Sequence, residues 1–114
     1  MIKVVALLRR NPALTPQEFR AYWTDVHVPM IKKLLPHLTK YTGSFPTSDP
    51  GSVQHVERAE IDAIVELSFP DRATMEADMS SPAFLTEERQ KSSAYLMDMD
   101  ATRSVVMEEI VVPL

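Results

Sequence analysis

Residues 15–35 read TPQEFRAYWTDVHVPMIKKLL, and the rest of the chain is organised around this stretch. Thr15 is an N-cap, because its hydroxyl accepts from the unpaired N–H groups of a first helical turn. Pro16 suits the first helical position, and Glu18 completes a Thr-x-x-Glu capping box. Past the cap, Phe19, Tyr22, Trp23, Val26, Met30, Ile31 and Leu34 recur at spacings of three and four, one apolar stripe that must be buried. His27 lies beside that stripe. Pro29 has no N–H to offer the carbonyl of Asp25 and disfavours helical geometry at Val28, so a kink is expected just after His27, with freed carbonyls near the imidazole.

The whole chain sets bounds on what such a helix serves. Its 114 residues are expected to form a single domain, 1–114, small enough that pairing with a second copy would help bury apolar surface. With 45% hydrophobic and 25% charged residues, nine prolines and two glycines, the composition is that of a soluble globular protein with punctuated elements. A net charge of −4 with no run of lysine or arginine argues against nucleic acid and against an anionic membrane surface. The lack of cysteine excludes disulfides, thiolate zinc sites and a cysteine nucleophile, and fits a reducing compartment. MIKVVALLRR has a short apolar run ending in two arginines and no small-residue cleavage site, so it reads as a strand and the protein as cytoplasmic.

Working outward, residues 2–9 are nearly continuous, β-branched and apolar, which suits a central strand. After the helix, Pro36 stops the pattern. Residues 37–45 alternate so that His37, Thr39, Tyr41 and Phe45 share a strand face. Residues 46–58, PTSDPGSVQHVER, read as a long loop. Residues 60–69 alternate clearly: Ile61, Ala63, Val65, Leu67 and Phe69 point one way, and Glu60, Asp62, Ile64, Glu66 and Ser68 the other. Pro70-Asp71 opens a short helix to about Met79, Ser81-Pro82 opens a second helical stretch to about Met97, and residues 102–112 close the sheet.

Strand, helix, strand, strand, helices, strand is the split βαβ order: an α+β, ferredoxin-like βαββαβ fold with a four-stranded antiparallel sheet and its helices on one face. A half-apolar face of the sheet is then left open. A homodimer that lays two sheets together is the expected cover.

LLRRNPALTPQEFRAYWTDVHVPMIKKLLP, followed by LTKYTGSF and EIDAIVELSFPDRATMEADMSSP, resembles the EthD-like family of the dimeric α+β barrel superfamily. Arg9, Pro12, Thr15, Glu18, Phe19, Tyr22-Trp23, His27, Tyr41, Asp62 and Glu66 carry the resemblance. It implies a ferredoxin-like dimer, usually without a cofactor, that acts on or binds small organic molecules. Relatives so implied include methylmuconolactone isomerases, polyketide dehydratases, decarboxylases and cyclases, and the accessory protein of an ether-degrading oxidation system. The extended middle loop and Glu108-Glu109 in the last strand depart from the pattern and leave the substrate open.

His27 has two readings, a general acid/base at a cleft or a ring bonded to a carbonyl at the Pro29 kink. Asp62 either orients His27 or acts as the base, or else is solvated or paired at an interface. Tyr41 offers a hydroxyl to a substrate oxygen with Phe45 as an apolar wall, or both pack for area alone. Tyr22 is the aromatic that lines the cleft while Trp23 enters the core. Ile64 keeps the Asp62–Glu66 face from being fully wet, and Glu66 reaches the cleft or bridges to a partner subunit. His37, His55 and the Asp98-Asp100 pair show no metal-ligand spacing, and no phosphate loop or serine elbow is present. Met75, Met79, Met97 and Met99 suit a plastic core or an adaptable ligand wall.

These readings converge on a cofactor-independent isomerase, dehydratase or cyclase with His27 and Asp62 as its catalytic pair. Tyr22, Tyr41, Phe45, Ile64 and Glu66 are the candidate substrate contacts. A non-catalytic binding or accessory protein is the alternative, and a cofactor-free monooxygenase is a third.

Overall fold

The structure, a computed structural model, describes residues 1–47 and 60–114, so His55 and most of the expected loop lie outside the described residues. The elements are β1 (Ile2–Leu8), α1 (Pro16–Tyr22), a π-helical turn (Trp23–His27), α2 (Val28–Leu34), β2 (Lys40–Ser44), β3 (Ala63–Phe69), α3 (Arg72–Met79), α4 (Glu87–Leu96) and β4 (Arg103–Glu108). The strands form one antiparallel sheet in the order β2-β3-β1-β4. This is the ferredoxin-like α+β fold, with the β-branched β1 central as its composition requires.

The helical run begins where the sequence marks it. Thr15 Oγ1 accepts from Glu18 N, and Glu18 Oε1 accepts from Thr15 N at 2.9 Å, so two otherwise unpaired donors are satisfied. The expected kink takes the form of a π turn: Val28 N–H reaches back five residues to Trp23 O. The wider turn absorbs the donor that Pro29 lacks.

This turn also decides which side chains face inward. Phe19, Trp23, His27, Ile31 and Leu35 all point to the sheet side, a repeat of four residues. An α-helix drifts roughly 40° at every such step, and the π turn takes up the slack. His27 is therefore only 6% exposed, whereas Val26, expected in the stripe, is 47% exposed.

Side chains alternate across the sheet as its register dictates. Val4, Ala6 and Leu8 pair with Leu67, Val65 and Ala63 and pack under the helices in two clusters. One centres on Phe19 and Leu96, the other on Leu35 and Phe69. These four side chains are fully buried, and each such burial stabilises the fold by about 1.5–3 kcal/mol. On the opposite face Lys3 Nζ bridges Glu66 at 2.7 Å and Glu109 at 2.9 Å, and Val105 and Met107 stay 46% and 44% exposed.

Several boundaries differ from expectation. β2 starts at Lys40 rather than His37, because the His37 backbone N–H and ring Nδ1 are both tied to the Asp78 carboxylate of α3. α4 starts after Thr86, which caps Arg89 N, while Ser81 closes a separate turn at Phe84. β3 starts at Ala63, so Asp62 precedes the strand. β4 ends at Glu108.

Candidate functional site

A cavity of about 210 Å³ lies between the sheet and the helices. Its floor is Val4, Ala6, Leu8, Val65 and Leu67, with Ser104 and Thr102 at the β4 edge. Trp23, His27 and Ile31 come from the kinked helix, and Arg89, Ser93 and three methionines, Met79, Met97 and Met99, line the far side. Met75 and Met97 are buried in the core, and Met97, Met79 and Met99 also line this cavity. A cavity near 150 Å³ accepts a benzene ring, so this one has room for a single-ring molecule.

His27 is placed here by the π turn and held by α4. Its Nδ1 lies 3.0 Å from Ser92 Oγ, which lies 3.0 Å from Tyr22 OH. Nε2 has no hydrogen-bond partner among the described residues. When Nδ1–H donates to Ser92, and Ser92 donates to Tyr22, Nε2 carries the lone pair. Burial, and then the nearby Arg89 guanidinium, lower the His27 pKa to about 4. The ring is therefore neutral at physiological pH.

Arg89 is half-buried and shares the cavity with His27. Its Nε donates to Phe84 O at 2.9 Å and its guanidinium stacks over the Phe84 ring at 4.3 Å, which fixes the fork. Neither sequence periodicity nor the kinked helix points to Arg89 or Ser92. The available signal is that Arg89, Ser92, Ser93 and Leu96 share the inward stripe of α4. A search for apolar periodicity passes over a stripe that is mostly polar.

Tyr41 lines the cavity, and burial raises its pKa well above the ordinary phenol value, with Trp23 opposing by a hydrogen bond. The Trp23 ring is edge-on to Tyr41 at 5.7 Å and to Phe45 at 5.5 Å. It also lies flat against Gly43, where a Cβ would sit 2.4 Å from Cη2. Only glycine lets the indole come this close to β2.

The other expected site residues lie elsewhere. Asp62 is not brought to His27: beyond the last pair of the ladder, Leu8 with Ala63, its carboxylate accepts from Arg10 N at 2.7 Å and faces the Arg9 guanidinium at 3.6 Å. Asp62 and Phe45 instead line an outer groove of about 520 Å³ with Arg10, Arg20 and Ile61. Tyr22 contacts Ser92 and packs against Tyr95, ring centroids 4.6 Å apart and planes tilted by 50°, on the outer side of the helices. Ile64 and Glu66 project from the opposite face of the sheet, because only every second residue of β3 faces the helices. Glu66 pairs there with Lys3 of its own chain, which holds its carboxyl below the usual range.

Among the described residues no group of three His, Cys, Asp or Glu side chains is placed to hold a metal ion. Among them, too, no helix is long and apolar enough to cross a membrane.

The family description "EthD domain" matches residues 11–100. No curated protein matches the chain. Among solved structures, an EthD family protein from Bacillus halodurans C-125 superimposes with a TM-score of 0.73 at 16% identity, covering 96% of this chain and 99% of that one. The At3g17210 protein of Arabidopsis thaliana gives 0.69 at 14% identity over 100% of both chains. SnoaB, a cofactor-independent oxygenase from Streptomyces nogalater, gives 0.64 at 10% identity, covering 97% and 94%. At these identities the superpositions establish a shared fold.

Proposed function

The chain belongs to the EthD family, and on that premise we propose that it is a cofactor-independent enzyme that moves a proton on a small carbonyl or lactone substrate, as an isomerase, dehydratase or cyclase. One observation carries this reading: a neutral, buried imidazole is anchored through Nδ1 and lines a cavity large enough for a single ring. A neutral Nε2 accepts a proton from carbon, and the resulting imidazolium, with its lowered pKa, is a strong acid that returns the proton at a second position. Ser92 and Tyr22 are positioning residues that hold the ring through Nδ1, and the proposed step uses the tautomer in which Nδ1–H donates to Ser92. Tyr41, kept protonated by burial, donates to the developing enolate oxygen. Asp62 is not needed for this step, since its carboxylate is engaged by Arg10.

Deuterium incorporation at carbon tests the proposal. An unsaturated five-membered lactone and a β-keto acid are incubated with the protein in D₂O and followed by proton NMR. Exchange is expected with the wild-type chain, a loss of roughly 10²-fold or more in His27→Gln, and a smaller loss in Ser92→Ala. Exchange undiminished in His27→Gln removes the acid/base role, and binding of the probes without exchange makes the cavity a carrier site.

We also propose a homodimer formed through the sheet face that carries Val105 and Met107. Both side chains are apolar and half exposed, as a surface awaiting a second copy requires.

A further inference from the structure

We infer that the ligand of the His27 cavity is an anion, a single-ring or similarly small carboxylate or enolate, and that Arg89 is the residue that selects it. This inference deepens the proposed function, since it concerns the same cavity. Among the described residues the lining contains one permanently charged group, Arg89, and no carboxylate. Arg89 spends only Nε on the protein, at Phe84 O, and makes no ion pair among the described residues. Its remaining N–H groups form a fork that no carboxylate among the described residues engages, held by the stack on Phe84.

A half-buried cation without a counterion is unfavourable for the free protein. Desolvation already lowers the Arg89 pKa, and the same charge weighs on His27. The other walls are mostly apolar, Val4, Ala6, Leu8, Val65, Leu67 and the methionines, and their polar groups are the neutral hydroxyls of Tyr41, Ser93, Thr102 and Ser104, so Arg89 is the one cation among the described residues that faces a ligand there. A bound anion supplies the missing counterion, and its apolar ring fills the remaining volume.

Benzoate and benzamide, alike in shape and different in charge, separate this inference from simple cavity filling. Calorimetric titration of the full chain is expected to show benzoate binding roughly tenfold or more tightly than benzamide, as a charged hydrogen bond implies. In Arg89→Gln the two affinities should become equal, while Arg89→Lys keeps part of the preference. A second readout needs no variant: benzoate should raise the His27 pKa by neutralising Arg89, whereas benzamide, which only excludes water, should not. Equal affinities in the wild-type chain, absent benzoate binding, or a preference that survives Arg89→Gln overturns the inference. The acid/base reading fails separately: a benzoate preference without carbon–hydrogen exchange leaves Arg89 as the selector of a binding site.

Discussion

Burial of His27 as a neutral ring predicts a specific loss of stability in mild acid. In the unfolded chain the imidazole titrates near its ordinary value of 6.5, and in the fold it titrates at about 4. Between these values the unfolded state binds the extra proton, so stability falls as pH drops. At pH 7.5 both states are neutral and the group contributes nothing. At pH 5 the unfolded ring is mostly protonated and the folded ring is not, which at ~1.4 kcal/mol per pKa unit removes about 2 kcal/mol. The loss levels off near 3 kcal/mol below the folded pKa.

Urea unfolding at the two pH values, followed by the fluorescence of Trp23, the single tryptophan of the chain, measures this directly. Carboxylates held below their usual range, those of Glu18, Glu66, Asp71 and Glu109, add losses of their own at lower pH. His27→Gln retains them, so the difference between the two proteins isolates the imidazole. The wild-type chain should lose about 2 kcal/mol more than the variant between pH 7.5 and pH 5. Equal losses would refute a buried neutral His27, and with it the tautomer on which the proposed proton transfer depends.

Gly43→Ala should destabilise the fold by roughly 2–3 kcal/mol, because the new methyl meets the Trp23 ring at 2.4–2.8 Å and the ring is confined by Tyr41 and Phe45. Thermal melting should drop by about 10 °C, with part of the loss recovered by Trp23→Leu in the same chain, and an unchanged melt would contradict the packing. Sedimentation equilibrium should give twice the 12.9 kDa chain mass. Val105→Glu with Met107→Glu should shift it to the monomer, and a monomeric wild-type chain would remove the proposed dimer.

Local chemistry settled much of the architecture. Thr15, Pro16 and Glu18 announce the helix start through groups within one turn of one another, and the alternation from Ala63 to Phe69 follows from the geometry of a strand. The composition of residues 2–8 places β1 at the centre of the sheet, because an element covered on both sides carries little polar sequence. Pro29 signals a break after His27, since the missing donor is a property of the residue itself. Where the pattern misled, a tertiary contact intervened: Asp78 holds His37 out of β2. Asp62 already has the strand parity of Ile64 and Glu66, and its carboxylate is bound by Arg10 N.

The sequence by itself thus determined the fold, its core-facing strand positions and His27 as the residue to watch, because each rests on period, propensity or a covalent property read within a few residues. Tertiary structure alone decided what surrounds His27. Ser92 and Arg89 reach it from α4, more than 60 residues away along the chain, and polar side chains facing inward leave no mark on apolar periodicity. Whether a carboxylate or a cation meets an imidazole depends on how a helix lies across a sheet. That is set by packing the whole core at once.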